Sequence, residues 1–142
     1  MASSGFAPYA GHGPRSGLPT TTVELFFRCA NLKDTDIISK SDPVAVLFGK
    51  GRGQSEWREV WRSEKIIDDL NPSWKKTFTI EYRFEETQPI KVEIYDWDEV
   101  IESQELIGRL ETTLAAIVSA PQKQFKSVLK SNSNKGQFHI DA

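Results

Sequence analysis

Eight short runs of β-forming residues, separated by turn-forming Gly, Pro, Asn and Asp, constrain this chain more than any other feature. Thr22–Cys29 is the first, rich in Val, Leu and Phe. Val44–Phe48 follows Pro43 and ends at the turn Gly49-Lys50-Gly51-Arg52-Gly53. In the third, Trp57, Glu59, Trp61 and Ser63 alternate with Arg58, Val60, Arg62 and Glu64. Trp74–Tyr82 is the fourth, with Trp74, Phe78 and Ile80 at inward positions, and Ile90–Tyr95 is the fifth, with clean period-2 alternation. Leu106–Leu110, Phe125–Leu129 and Gln137–Ile140 complete the set, and only Thr113–Ser119, just before Pro121, reads as helical. Strands at this spacing predict an all-β fold, an eight-stranded antiparallel β-sandwich.

A chain of 142 residues is one domain, large enough to bury a core without staples. Residues 1–20 are rich in Gly, Pro, Ser and Ala and lack apolar periodicity, so a flexible leader is expected there, with the folded domain over 21–142. Eighteen basic and twenty acidic residues nearly cancel, and no nucleic-acid partner is expected. The one cysteine, Cys29, excludes an intrachain disulfide and fits a reducing, cytoplasmic setting. Its place in an apolar run predicts packing rather than reactivity. No apolar run reaches the length of a membrane span, the first residues lack a signal-peptide core, and Ala2 follows Met1 where myristoylation needs glycine. Any membrane contact is therefore expected from the folded surface.

Two acidic clusters follow strand-like runs about fifty residues apart: Asp36 with Asp42, and Asp96 with Asp98, running on to Glu105. Asp96 and Asp98 are two apart and leave one face of an extended segment. If the sandwich brings the clusters together, five carboxylates converge, an arrangement that like-charge repulsion disfavours without cations. Two calcium ions would set four positive charges against those five. Loop carbonyls, such as those of Ile37 and Trp97, and water would fill the remaining oxygen positions. Zinc fits poorly, because neither His12 nor His139 has a second soft ligand nearby in sequence. The bland alternative is a set of solvated turn-forming acids. An Asp-x-Asp motif also holds metal-bound nucleotide sugars, but this chain has no phosphate-cradling glycine loop and no room for an α/β nucleotide domain.

The chain resembles a C2 domain, and more narrowly the first, N-terminal C2 domain of a copine. The matching stretches are Cys29-Ala30-Asn31-Leu32-Lys33-Asp34-Thr35-Asp36, Ser39-Lys40-Ser41-Asp42-Pro43, Arg62-Ser63-Glu64-Lys65-Ile66 and Leu70-Asn71-Pro72. Phe78-Thr79-Ile80-Glu81-Tyr82, Phe84-Glu85, Tyr95-Asp96-Trp97-Asp98 and Leu106-Ile107-Gly108 extend the match over nearly all of Val23 to Ile140. The resemblance implies a calcium-binding, phospholipid-docking sandwich in the circularly permuted, type II-like strand order, its last strand at Gln137–Ile140. It implies Asp36, Asp42, Asp96 and Asp98 as calcium ligands, and places Glu105 where the family has a final aspartate. Glu102 competes for that place, and Asp68 in the second loop is a weaker candidate. A copine continues into a second C2 domain and a von Willebrand factor A-like domain, and neither lies within these residues.

Acid beside apolar residues predicts a calcium-gated docking surface for anionic phospholipid membranes. Ile37, Ile38, Val100 and Ile101 would insert, or would otherwise fold back on the sandwich. Lys40 would meet lipid headgroups, with Arg58, Arg62, Lys65, Lys75 and Lys76 as a basic patch; a solvated strand face is the alternative. The expected location is cytoplasmic, with peripheral recruitment to the plasma membrane or other acidic membranes as calcium rises during signalling. A calcium-independent protein-interaction module is the competing function. No enzyme is expected, since no Ser/His/Asp or Cys/His set is evident.

Overall fold

A computed structural model describes residues 20–32, 42–51, 53–67, 69–98, 103–129 and 137–142, with side chains for all of these except 98 and 103–105. The leader expected over 1–20 falls, but for residue 20, outside the described residues.

The strands are β1 (Thr21–Ala30), β2 (Pro43–Gly49), β3 (Arg58–Arg62), β4 (Phe78–Tyr82), β5 (Pro89–Asp98), β6 (Ser103–Thr113), β7 (Gln124–Val128) and β8 (Gln137–Asp141). A short helix, α1 (Leu114–Val118), follows β6. They form two four-stranded antiparallel sheets, ordered β4-β1-β8-β7 and β3-β2-β5-β6. The last strand sits beside the first: Phe27 pairs with Ile140 and Cys29 with Phe138. This is the permuted order that the resemblance to C2 domains implies.

Alternation builds the core. Val23, Leu25, Phe27 and Cys29 of β1 turn inward, against Ile90, Val92 and Ile94 of β5 and Phe138 and Ile140 of β8. Cys29 is buried, as its place in an apolar run predicts, and desolvation pushes its thiol pKa well up, which disfavours the thiolate. Trp61 stacks on Phe27 at 4.6 Å between centroids, and Trp74 packs on Phe138 at 6.4 Å. Trp74 is enclosed, and Phe78 and Ile80 pack partly buried against the core, as their inward assignment requires.

Several boundaries differ from those the pattern predicts. β3 begins at Arg58, leaving Trp57 outside the ladder with Lys50 over its ring. β4 begins at Phe78; residues 72–74 instead run beside β1, where Cys29 N–H donates to Pro72 O and Trp74 N–H to Phe27 O. β5 and β6 extend beyond the apolar runs because their ladder continues to Asp98↔Ser103. α1 starts where Thr113 Oγ1 accepts the Ala116 N–H, an N-cap that ends the strand.

One glycine is forced by packing. A Cβ on Gly108 would lie 2.8 Å from Leu129 Cβ, an atom too close to the backbone to swing away. Gly108 sits beside a bulge: Ile94 faces Gly108 while Tyr95 faces Leu106, so Ile107 is the extra residue.

Candidate metal centre

β2 starts, β5 finishes and β6 starts at the same end of the second sheet. Along β5 the inward row Ile90, Val92 and Ile94 is apolar and enclosed, and the next position in that row is Asp96. The core therefore ends in a carboxylate at this mouth. Asp42 stands across from it on the approach to β2. Its N–H donates to Asp96 Oδ1 at 3.0 Å, and its carbonyl accepts the Trp97 N–H at 3.2 Å. Pro43 pairs with Asp96 and suits the first position of a strand, since it has no N–H to give the ladder.

Glu105 is the register partner of Asp96, and Asp98 lies two residues further along β5. The bulge at Ile107 sets this register, so a single extra residue decides which β6 position meets Asp96. The fold thus gathers the backbones of Asp42, Asp96, Asp98 and Glu105 at one end. Asp36, Asp68, Glu102, Ile37, Ile38, Lys40, Val100 and Ile101 lie outside the described residues.

Among the described residues no three His, Cys, Asp or Glu side chains cluster as an ion-holding group; of the acids assigned to the site, only Asp42 and Asp96 have described side chains. Donor chemistry is still informative. What the strands carry here is carboxylate and carbonyl oxygen, while His139 stands on β8 in the other sheet. Hard oxygen alone suits calcium and not zinc.

The segment between β3 and β4 is tied to this end from both sides. Ile66 N–H and Trp74 Nε1 both donate to Pro43 O, at 3.3 Å each. Leu32 N–H donates to Leu70 O at 2.9 Å and Asn31 N–H to Asn71 Oδ1 at 2.8 Å.

All five basic residues assigned to one patch are among the described residues. Arg58 and Arg62 lie on β3, Lys65 follows that strand, and Lys75 and Lys76 precede β4 instead of lying within it. Arg62 grips Glu59 through two hydrogen bonds of 2.9 and 3.0 Å, and its guanidinium lies 5.2 Å over the Trp97 ring. Hydrogen bonding to Arg62 holds the Glu59 carboxyl below its usual range. Burial works against charge on Glu64, but backbone N–H groups, those of Lys75, Glu64 and Lys76, outweigh it and lower its pKa. Lys75 N–H donates to Glu64 Oε2 at 2.7 Å. Beside Trp97, the Tyr95 hydroxyl is pushed up to about 12 by burial and by its 2.6 Å hydrogen bond to Glu93.

Ile67, outside the set of site residues expected from sequence, is 68% exposed between β3 and β4. Its signal was available: an apolar residue next to Asp68 repeats the acid-beside-apolar pattern of the other two loops.

Residues 22–129 match the C2 domain, and the chain belongs to the C2 domain family. Within that class its similarity is to copines: it is 40% identical to Copine-B of Dictyostelium discoideum over 114 residues, covering 76% of this chain and 22% of that protein. The chain spans about a fifth to a quarter of the length of the curated relatives it matches. Among solved structures, the C2A domain of plant Extended Synaptotagmin 1 superposes with a TM-score of 0.67 at 21% identity, over 84% of this chain and 89% of that one. At that identity the likeness is one of fold. BON1-C2B gives a TM-score of 0.59 at 26% identity, over 87% of this chain and 89% of that one.

Proposed function

We propose that this C2 domain docks on anionic phospholipid membranes in a calcium-dependent manner, through the end of the sandwich where β2, β5 and β6 meet. The observation that carries the reading is the link between Asp42 and Asp96, 54 residues apart in sequence and joined by a 3.0 Å hydrogen bond. Asp36, Asp42, Asp96, Asp98 and Glu105 would hold the cation, with Asp68 or Glu102 as lesser donors and the Ile37 and Trp97 carbonyls completing the set. Two ions suit five carboxylates. Two calcium ions, when bound, would set four positive charges against these five carboxylates and supply open oxygen positions that phosphate or carboxylate headgroups fill.

Without it, the acids give this end a negative field and an acidic leaflet repels it. With the field cancelled, Ile37, Ile38, Val100 and Ile101 enter the bilayer, each contributing up to about 1.5–3 kcal/mol if fully buried. Lys40 and the more exposed of the basic residues Arg58, Lys75 and Lys76 meet headgroups, at about 1 kcal/mol each near the surface. The domain would act in the cytoplasm, recruited to the plasma membrane or other acidic membranes when calcium rises. Binding is proposed here, and no catalytic role.

Co-sedimentation with phosphatidylserine vesicles tests this directly. Binding in calcium that chelator abolishes supports it, and equal binding under both conditions sinks it. Calcium should also raise thermal stability, by about 2.7 kcal/mol at a hundredfold excess over Kd. Melting unchanged by calcium would favour a calcium-independent protein-interaction module.

A further inference from the structure

We propose that the outer face of the first sheet, around the row Arg28, His139 and Lys126, docks an acidic segment of a partner protein, and that His139 makes this docking tighten as pH falls. The three residues stand side by side on β1, β8 and β7: Arg28 and Lys126 are both register partners of His139. Phe138 and Ile140, on either side of His139, turn into the core, so His139 takes the outer face. It is nevertheless only 6% exposed, and neither ring nitrogen has a hydrogen-bond partner. Asp141 Oδ1, two residues along the same strand, is likewise enclosed and unpartnered. Folded proteins seldom leave such groups unbonded, and a site that waits for a ligand is one reason.

The charges around this ring disfavour a metal and favour an anion. Arg28 and Lys126 both act against the protonated imidazole, and Asp141 opposes them more weakly. The same repulsion would expel a divalent cation, and among the described residues no third ligand joins His139 and Asp141. Arg28 and Lys126 set against Asp141 leave one net positive charge, and a proton on His139 makes it two. Arg28 is held loosely: its Nε lies 3.8 Å from Asp141 Oδ2, and its side chain is 39% exposed. The guanidinium can turn to an incoming carboxylate, with the exposed Lys126 two strands away to take a second. The enclosed imidazole between them acts through its charge. A bound carboxylate favours the proton that Arg28 and Lys126 otherwise repel.

Shape and the surrounding acids point to a peptide and not to a bilayer. Glu24 on β1 and Glu81 on β4 share this face, and with Asp141 they would meet a flat anionic leaflet with like charge. An extended segment can set its acids on the cationic row and avoid them. Apolar surface flanks that row. Phe26, two residues before Arg28, is 46% exposed, and Val128, two residues after Lys126, is 56% exposed. Beside Lys126 a cavity of about 580 Å³ opens, with Ala116, Ala120, Pro121 and Phe125 in its lining, where a partner's apolar side chain can sit. The occupant that fits is an acidic stretch with apolar residues at either side.

The test titrates the full chain, in chelator, with a peptide in which three aspartates stand between two leucines, blocked at both ends. Its counterpart with three asparagines is the control. Backbone amide spectra at about pH 5.5 and about pH 8 read the binding, and the aspartates stay ionised over that range. The expected result is a set of shifts centred on Arg28, Lys126 and His139, with binding at least about threefold tighter at the lower pH. Arg28→Gln should weaken binding about three- to tenfold at both pH values, yet meet phosphatidylserine vesicles in calcium as wild type does. His139→Gln should still bind but with one affinity at both pH values. No binding at either pH, equal binding of the asparagine peptide, or a pH difference that survives His139→Gln overturns the proposal and leaves the calcium-dependent reading standing. Phosphatidylserine vesicles that shift these same amides in chelator would reassign the face to lipid and overturn it too.

Discussion

The two ends of the sandwich close in opposite ways. At the far end, where β6 finishes and β7 begins, α1 lays Leu114 and Ile117 over the core, both fully enclosed. At the loop end, the same inward row of β5 that carries Ile90, Val92 and Ile94 arrives at Asp96. One end is sealed with hydrocarbon and serves stability. The other stops the core with carboxylates, which gain nothing from burial and repel one another. In the proposed function, it is this acidic end that takes the ligand.

The contrast breaks most readily at the hydrocarbon end. Leu114→Ala should cost about 2–5 kcal/mol of stability in denaturant titration, since it opens a cavity in an enclosed site. The vesicle response to calcium of the protein that remains folded should be unchanged. Next in size is Gly108→Ala, whose added methyl meets Leu129 Cβ at 2.8 Å. It should cost about 1–3 kcal/mol by overpacking, read from the same titration.

Asp96→Asn sharpens the comparison from the acidic side. Asparagine keeps an amide oxygen to accept the Asp42 N–H but loses the charge, so metal-free stability should move by no more than about 0.5 kcal/mol. Calcium affinity should fall about tenfold or more, equal to about 1.4 kcal/mol, in a calorimetric titration. Wild-type affinity in that variant would remove Asp96 from the ligand set.

The smallest effect concerns pH and the outer face of the first sheet. His139 is buried between its register neighbours Arg28 on β1 and Lys126 on β7, with Asp141 two residues along its own strand. Desolvation, then the charges of Arg28 and Lys126, lower its pKa against a weaker opposing pull from Asp141. The unfolded chain takes up that proton near pH 6.5 and the folded chain resists it. Stability is therefore complete above about pH 6.5 and declines as pH falls below it. In thermal melts across that range, His139→Gln should flatten the decline.

Much of this architecture is readable in the sequence because alternation survives in β1 and β5, whose faces are chemically distinct. The acid end is readable as well, since Asp96 keeps the parity of the core row and Asp42 precedes Pro43. What stays hidden is what bulges decide. Leu47 faces Trp61 while Phe48 faces Glu59, so Val60 is bulged and Glu59 and Arg62, three apart, share a face. Simple alternation puts them on opposite faces and leaves Arg62 free for lipid. For Ile67 the sequence offers a signal, its place beside Asp68, but no period, so which apolar side chain of that loop is turned out is not read from alternation.

A single claim underlies the proposed function: Asp42, just before β2, Asp96 and Asp98 of β5 and Glu105 of β6 act together on a divalent cation. Backbone amide shifts recorded through a calcium titration test it most directly. The amides of Asp42, Asp96, Trp97, Asp98 and Glu105 should move together and saturate at one concentration, while those of Leu114, Gln124 and Ala142 at the opposite end stay still. Amides that do not respond, or that drift equally at both ends, would contradict it.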